Sequence, residues 1–266
     1  MTVHDAAARG FERGADDYEA ARPGYPAEVV DLLVEALELG PGRRVLDLAA
    51  GTGKLTRLLV PSGAEVVAVE PVAAMRATLA ELVPEAEVLD GTAEAIPLPD
   101  AGVEAAVVAQ AFHWFDAGAA LAELARVLRP GGALALVWNV RDESADWVRR
   151  FGELLVEGAA EDESSAAFRE TGKPYEEGQD WADVIGASGR FGPVEHASVA
   201  WEQPVDADLL VRRAASTSFV SALPDDARAA ALDRVRDLAA THPDLAGRAT
   251  FGFPYRTAVY WCRSTV

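Results

Sequence analysis

The residues with the clearest chemical purpose lie in the stretch Val45-Leu46-Asp47-Leu48-Ala49-Ala50-Gly51-Thr52-Gly53-Lys54-Leu55-Thr56. An acid is followed by small residues and by two glycines two positions apart. Glycine has no Cβ, so backbone there turns tightly and approaches a ligand closely. A glycine-rich turn between a strand and a helix is where open parallel sheets bind nucleotide-like cofactors. A phosphate loop for ATP or GTP needs G-x-x-x-x-G-K-[ST]. Here Leu55 follows Gly53-Lys54 and Leu48 occupies the first glycine position, which excludes that loop. A dinucleotide turn wants G-x-G-x-x-G, and Thr56 stands where its third glycine would allow close helix–strand packing.

The elements around this turn alternate. Pro26 suits the first turn of a helix in which Val30, Leu33, Val34 and Leu37 share one face, and Gly40-Pro41-Gly42 stops it. A strand is predicted at about 44–48 and a helix at about 54–60. A second strand spans Glu65 to Glu70 and is ended by Pro71, with a helix following to about Leu82. A third strand is expected near 86–89 and a fourth at about 103–109. Asp116 is placed to cap the next helix, Pro130-Gly131-Gly132 reads as a turn, and a fifth strand runs from Ala133 to Trp138. Strands two, four and five are nearly continuous apolar runs, as expected where helices cover both sheet faces. Such alternation implies a parallel, doubly wound α/β sheet.

After residue 140 the rhythm changes. Trp147, Phe151, Leu154 and Leu155 suggest an amphipathic helix, and the Glu161-Asp162-Glu163 run reads as a solvated loop or helix face. A strand is expected at 194–201, helices near 206–216 and 225–240, and a last strand around 255–262. The two late strands read as a hairpin-like pair at the sheet edge. The chain thus divides into an N-terminal flap and helix (1–42), a cofactor-binding core (43–140), a cap insertion (141–190), and the last two strands (191–266) with cap helices inserted at about 203–247.

Composition narrows the partners. The 266 residues hold 24 Lys and Arg against 43 Asp and Glu, a net charge of −19. Such a chain repels phosphate backbones and anionic membrane surfaces, so neither nucleic acid nor membrane is an expected partner. Cys262 is alone, so there is no intrachain disulfide, and the four histidines lack the spacing of a zinc site. No metal is expected. No apolar run reaches transmembrane length, and the N-terminus is unlike a secretory signal, so the expected location is the cytoplasm. A monomer or a homodimer fits equally.

The pattern Asp47-x-x-x-Gly51-x-Gly53 resembles the glycine motif of class I S-adenosylmethionine-dependent methyltransferases. The resemblance continues in register through Val66-Val67-Ala68-Val69-Glu70-Pro71, Gly91 to Leu98, Ala111-Phe112-His113-Trp114-Phe115, and Arg126 to Gly132. The lead-in Tyr18-x-x-x-Arg22-Pro23-Gly24-Tyr25-Pro26 and the His113-Trp114 pair resemble the type 11 branch with trans-aconitate-type and quinone-type enzymes. The resemblance implies a Rossmann-like seven-stranded sheet of order 3-2-1-4-5-7-6, with strand seven antiparallel and helical cap insertions.

It also implies a cofactor, S-adenosylmethionine, with S-adenosylhomocysteine as product, and a residue set to hold it. Glu70 would accept both ribose hydroxyls, and charge-assisted hydrogen bonds are the stronger kind. Asp47 would order the turn formed by Ala49, Gly51 and Gly53 or meet the cofactor's amino group. Relatives usually have glycine where Ala49 stands, so the turn is expected to keep φ negative there. Pro71, Thr92, Ala93 and Glu94 would edge the ribose and adenine. Relatives often have Asp at the place of Thr92, which leaves recognition of the base to backbone groups. Gln110 would reach the methionine part, Tyr18 would belong to a closing flap, and Arg22 would offer a planar fork to the methionine carboxylate.

On the acceptor side the resemblance points to Tyr25, His113 and Trp114, with Arg141 and Trp147 from the cap. An aromatic face such as Trp114 stabilises a sulfonium by cation–π attraction, and the imidazole of His113 titrates near neutrality and is the candidate catalytic base. The expected activity is methyl transfer to an O, N or C atom of a small-molecule acceptor by in-line displacement. Two alternatives stay open: a protein that binds the cofactor or its product without turnover, and an NAD-dependent oxidoreductase.

Overall fold

The computed structural model describes residues 22–160, 181–221 and 223–266. Tyr18 and the Glu161-Asp162-Glu163 run lie outside the described residues. The strands are β1 (Arg44–Leu48), β2 (Glu65–Val69), β3 (Glu87–Leu89), β4 (Val103–Ala109), β5 (Leu128–Arg141), β6 (Glu195–Val205) and β7 (Phe251–Arg263). They form one sheet in the order β3-β2-β1-β4-β5-β7-β6. β1 lies parallel to β2 and β4, β3 parallel to β2, and β5 parallel to β4. β7 runs the other way. Its hydrogen bonds show the reversal: Gly131 N–H donates to Ser264 O at 3.2 Å, and further along β5 Asp142 N–H donates to Pro254 O at 3.0 Å. This is the sheet the sequence resemblance implies.

The helices are α1 (Ala27–Ala36), α2 (Thr56–Leu59), α3 (Ala73–Leu82), α4 (Ala117–Val127), α5 (Asp146–Ala160), α6 (Trp181–Ala187), α7 (Ala207–Ala215), α8 (Ser218–Ser221) and α9 (Asp225–Thr241). Two of them carry side-chain caps that their sequences supply. Asp116 accepts from Ala119 N–H at 3.0 Å ahead of α4, and Asp206 accepts from Leu209 N–H at 2.7 Å ahead of α7, each satisfying an amide the helix leaves open.

Two local expectations are corrected. The helix after the glycine turn is shorter than 54–60, giving way to a 3₁₀ turn at Val60–Ser62. Pro61 brings no N–H, so α-helical bonding stops there. The Pro130-Gly131-Gly132 segment is part of β5 rather than a turn. Gly131 takes φ +76°, and the register against β4 shifts between Val103 and Ala105. Between these pairs β4 advances two residues and β5 five, so β5 carries the longer path as an irregularity, and Gly131 and Gly132 exchange hydrogen bonds with Ser264.

The described residues group into two compact units. One comprises 22–23, 140–160, 200–221 and 223–256, and the other 24–139, 181–199 and 257–266; the divisions fall within β5, β6 and β7. The second unit holds the core of β1, β2, β4 and α1, with Val29, Leu33, Leu37, Val45 and Val107 fully buried. Within it a buried polar chain runs from Thr257 Oγ1, which donates to Asn139 Oδ1 at 2.5 Å, to Asn139 Nδ2, which donates to Gly24 O at 2.9 Å. The first unit has its own core, in which Trp147, Val148, Phe151, Leu210, Val235 and Phe253 are buried.

Candidate functional site

The glycine turn leaves the carboxyl end of β1 beside the ends of β2 and β4, because the three strands are parallel and adjacent. Ligands of open α/β sheets bind outside such strand ends. The turn is built from left-handed backbone: Ala49 has φ +57°, Gly51 φ +59° and Gly53 φ +84°. The expectation of a negative φ at Ala49 is therefore not met. The chain must bend sharply after Leu48 so that Ala50 N–H can donate to Val69 O at 3.2 Å, and alanine takes the left-handed conformation at a cost of about 1–2 kcal/mol. Gln110, at the end of β4, also has positive φ (+60°). Strained backbone of this kind concentrates at functional sites.

The two glycines differ in what they permit. A Cβ at Gly53 would meet Leu79 Cγ at 3.0 Å and Val83 Cγ2 at 3.2 Å, so glycine there lets α3 pack against the turn. A Cβ at Gly51 would find only Met75 Sδ, at 3.9 Å, an ordinary contact, so the backbone there is not crowded and a ligand can approach it.

Two acids sit at this turn. Asp47 is 1% exposed and accepts from Thr56 Oγ1 at 2.6 Å. Burial first, and the nearby Glu70 charge after it, push its pKa up to about 7. Glu70 is 4% exposed; one carboxyl oxygen accepts from Gly51 N–H at 3.0 Å and the other from Val72 N–H at 2.8 Å. Burial also raises the Glu70 pKa, against the lowering influence of those amides and of Arg76. Arg76 is a residue the sequence reading did not single out. It donates to Glu70 O at 2.9 Å and Pro71 O at 2.7 Å and pairs with Asp90 at 3.0 Å, fixing the exit of β2. Its position six residues after the strand-end acid, one turn into α3, was the available signal.

The remaining residues of this unit line the neighbouring strand ends. Pro71 is exposed and Thr92 is exposed, while Ala93 is buried and Glu94 half-buried. Glu94 Oε1 accepts from Asp116 N–H at 3.1 Å, which ties the 92–95 segment to the start of α4. Glu123 of α4, unremarked in the sequence, and Arg126, noted there only as the start of a matching segment, clamp the loop that precedes α4. Glu123 accepts from Ile96 N–H at 2.9 Å, and Arg126 donates to Ile96 O at 2.9 Å and Leu98 O at 2.8 Å. His113 and Trp114 lie in a 3₁₀ turn just beyond β4. His113 packs against Trp114 (ring centroids 4.6 Å) and Trp138 (5.5 Å), and Trp138 stacks on Trp181 at 5.0 Å. Tyr25 is half-buried against the core of this unit.

These residues fit the cofactor the sequence suggests. Gln110 Nε2 is buried without a hydrogen-bond partner among the described residues, a donor suited to an oxygen acceptor. Two buried acids at the turn suit a cationic ligand, and Gly51 leaves room for one. Arg22, Arg141 and Trp147 belong to the other unit. Arg22 donates to Ser216 O at 2.9 Å, Arg141 lies over the Phe151 ring at 5.9 Å, and Trp147 is core, edge-on to Phe253 at 4.9 Å. Among the described residues no group of three or more His, Cys, Asp or Glu is arranged to hold a metal ion. No helix among them is long and apolar enough to cross a membrane.

Comparison with known proteins agrees with this geometry. A family model described as a methyltransferase domain matches residues 46–136. An uncharacterized methyltransferase of Mycobacterium tuberculosis is 43% identical over 247 residues, covering 93% of this chain and 92% of that protein. An uncharacterized methyltransferase-like protein of Schizosaccharomyces pombe is 29% identical over 251 residues, covering 94% of this chain and 93% of that one. Among solved structures, a putative methyltransferase from an antibiotic biosynthesis pathway of Anabaena variabilis superposes with a TM-score of 0.62 at 19% identity, covering 90% of this chain and 98% of that one, a likeness of fold alone. The glycine turn, the strand-end acid and the near-full-length relatives together make this chain a member of the class I S-adenosylmethionine-dependent methyltransferases.

Proposed function

We propose that the chain binds S-adenosylmethionine at the glycine turn and transfers its methyl group to a small-molecule metabolite, with oxygen as the favoured acceptor atom. The observation that carries the reading is the meeting of Glu70 with Gly51 across the ends of β1 and β2. When bound, the cofactor supplies a methyl carbon activated by a sulfonium. The chain's own work is to bind, orient and exclude water from the two reactants, which lowers the barrier without an obligatory catalytic side chain. Glu70 accepts from ribose hydroxyls with lone pairs its two backbone donors leave open. Backbone groups of Ala93 and Glu94 edge the base, and Gln110 Nε2 donates to the amino-acid part. His113, beyond the end of β4, takes the acceptor's proton at a ring nitrogen, and Trp114 offers an aromatic face.

Calorimetry with S-adenosylhomocysteine tests the assignment. Glu70→Gln retains an acceptor for one backbone amide but loses the charge, and it is expected to weaken binding about 10–100-fold, one or two charge-assisted hydrogen bonds. Affinity equal to the parent's would remove Glu70 from the ribose. Turnover is tested separately by the appearance of labelled methyl on members of a metabolite panel. Tight cofactor binding with no transfer to any of them would favour a binding protein over an enzyme.

A further inference from the structure

A group of aromatic rings gathers around the exit from β4, wholly within the unit formed by 24–139, 181–199 and 257–266. Gln110 N–H donates to Val137 O at 2.9 Å, which sets Trp138 of β5 beside that exit. Trp138 is 2% exposed, and Trp181, the first residue of α6, is 5% exposed. Their rings stack, with centroids 5.0 Å apart and planes 14° from parallel. Each indole then meets one of two consecutive residues. Trp181 stands edge-on to Phe112 at 5.6 Å and 89°, and Trp138 meets the His113 ring at 5.5 Å. Phe112 also stands edge-on to Phe115 at 5.6 Å, and His113 packs on Trp114 at 4.6 Å.

The turn that these rings hold is a weak element by itself. A 3₁₀ turn has poorer hydrogen-bond geometry than an α-helix and is used only in short pieces. Here Trp114 N–H donates to Ala111 O at 2.9 Å and Phe115 N–H to Phe112 O at 3.1 Å. The chain enters the turn through Gln110, in left-handed backbone at φ +60°. α6 is no sturdier alone. Its seven residues are too few for an isolated helix in water, and it is kept by burying Trp181 and Ile185, four positions apart on one face. Two marginal elements far apart in sequence thus brace one another through rings. Filling a core needs only apolar volume, whereas stacked and edge-on ring pairs are directional. The pairs of Trp181 therefore set the angle of Phe112 directly, and that of His113 through Trp138. Such an angle matters for a base, which works only within hydrogen-bond reach of its proton; a misplacement of about 1 Å costs about 100-fold in rate.

We propose that Trp181 is a positioning residue for His113: stacked on Trp138 and edge-on to Phe112, it fixes the turn that carries the imidazole. For its effect on turnover the proposal rests on the methyl-transfer reading; the placement of the ring does not, and the two are tested apart. The full chain is labelled at histidine, and the ring-proton signals of its four imidazoles are followed by NMR at fixed pH, with His113→Gln identifying the signal of interest. Ring currents of the neighbouring indoles make that signal a gauge of where the imidazole sits. Trp181→Leu is expected to shift the His113 signal and leave those of His196 and His242 in place. Trp181→Phe, which keeps an aromatic face, is expected to bring it most of the way back. Ile185→Ala loosens α6 without touching the stack, and is expected to lower the Tm while the His113 signal stays. Should Trp181→Leu fail to fold, Trp181→Met replaces it, filling more of the volume without a ring. The proposal is overturned if the His113 signal of the ringless variant coincides with the parent's, or if the Phe and ringless variants behave alike, since Trp181 would then be filling space. On an acceptor found in the metabolite panel, the ringless variant is expected to lose about 10–100-fold in kcat with unchanged affinity for S-adenosylhomocysteine, and Trp181→Phe to recover most of it. A moved signal with kcat intact would support the positioning and remove the base role from His113.

Discussion

Asp47 is a carboxyl kept close to neutral by its surroundings, and this gives the protein a definite pH signature. Its pKa rises from 3.8 to about 7 on folding. A raised folded-state pKa means that the stability gained from the neutral form is complete below about pH 4 and is lost as pH rises to about 7. The shift corresponds to at most about 4 kcal/mol, since one pKa unit is about 1.4 kcal/mol. Asp47→Asn preserves an acceptor for the Thr56 hydroxyl and removes the charge. It is expected to stabilise the chain more at pH 8 than at pH 5, read from urea midpoints at both; an equal effect at the two pH values would mean Asp47 is not held neutral. The backbone at the same turn makes a second prediction. Ala49→Gly removes a left-handed alanine at φ +57° but adds unfolded-state freedom, for a net gain of up to about 1 kcal/mol. Gly53→Ala does the opposite. It adds strain at φ +84° and a methyl 3.0 Å from Leu79, and is expected to cost about 2–4 kcal/mol. Tm measurements should therefore move in opposite directions for two substitutions four residues apart.

The loop at 96–100 depends on α4 more than on its own sequence. Arg126 donates to Ile96 O, Leu98 O and Asp100, while Glu123 holds both Arg126 and Ile96 N–H. The Arg126 side chain is about a third exposed, so solvent screens its ion pairs, and its hydrogen bonds to backbone carbonyls matter more. Arg126→Ala is expected to destabilise by about 2 kcal/mol and to speed amide exchange across 96–101, with Asp100→Asn much milder. Exchange rates unchanged at those amides would show that the loop holds its own shape. This clamp also marks what the sequence conveys and what it conceals. The apolar runs of β2 and β4, the capping Asp116 and the glycine turn are local signals, and the structure has each where the sequence puts it. The order of the strands came from resemblance, since no periodicity encodes which strands pair. Thr257 and Asn139 meet across 118 positions, and Arg126 reaches Ile96 across 30, so neither pair leaves a local trace. Pro130-Gly131-Gly132 misled because a turn signature is local, whereas its hydrogen bonds to Ser264 are set by a strand that comes at the end of the chain.

At the scale of the whole molecule the governing quantity is charge. Each unit has an apolar core of its own, so neither needs surface ion pairs for its existence. Against this stands a net charge of −19, which makes the folded chain repel itself. Salt acts on both terms. It screens the general repulsion and it weakens exposed pairs such as Arg150–Glu157 and Arg43–Glu38. Exposed pairs are worth about 0–1 kcal/mol each, and many are worth nothing measurable, whereas the excess of acids acts over the entire surface. Repulsion should win. The Tm is expected to rise as sodium chloride increases from about 0.05 M to about 0.5 M, over which the Debye length falls below about 5 Å. A falling Tm would show that local pairing outweighs the excess charge.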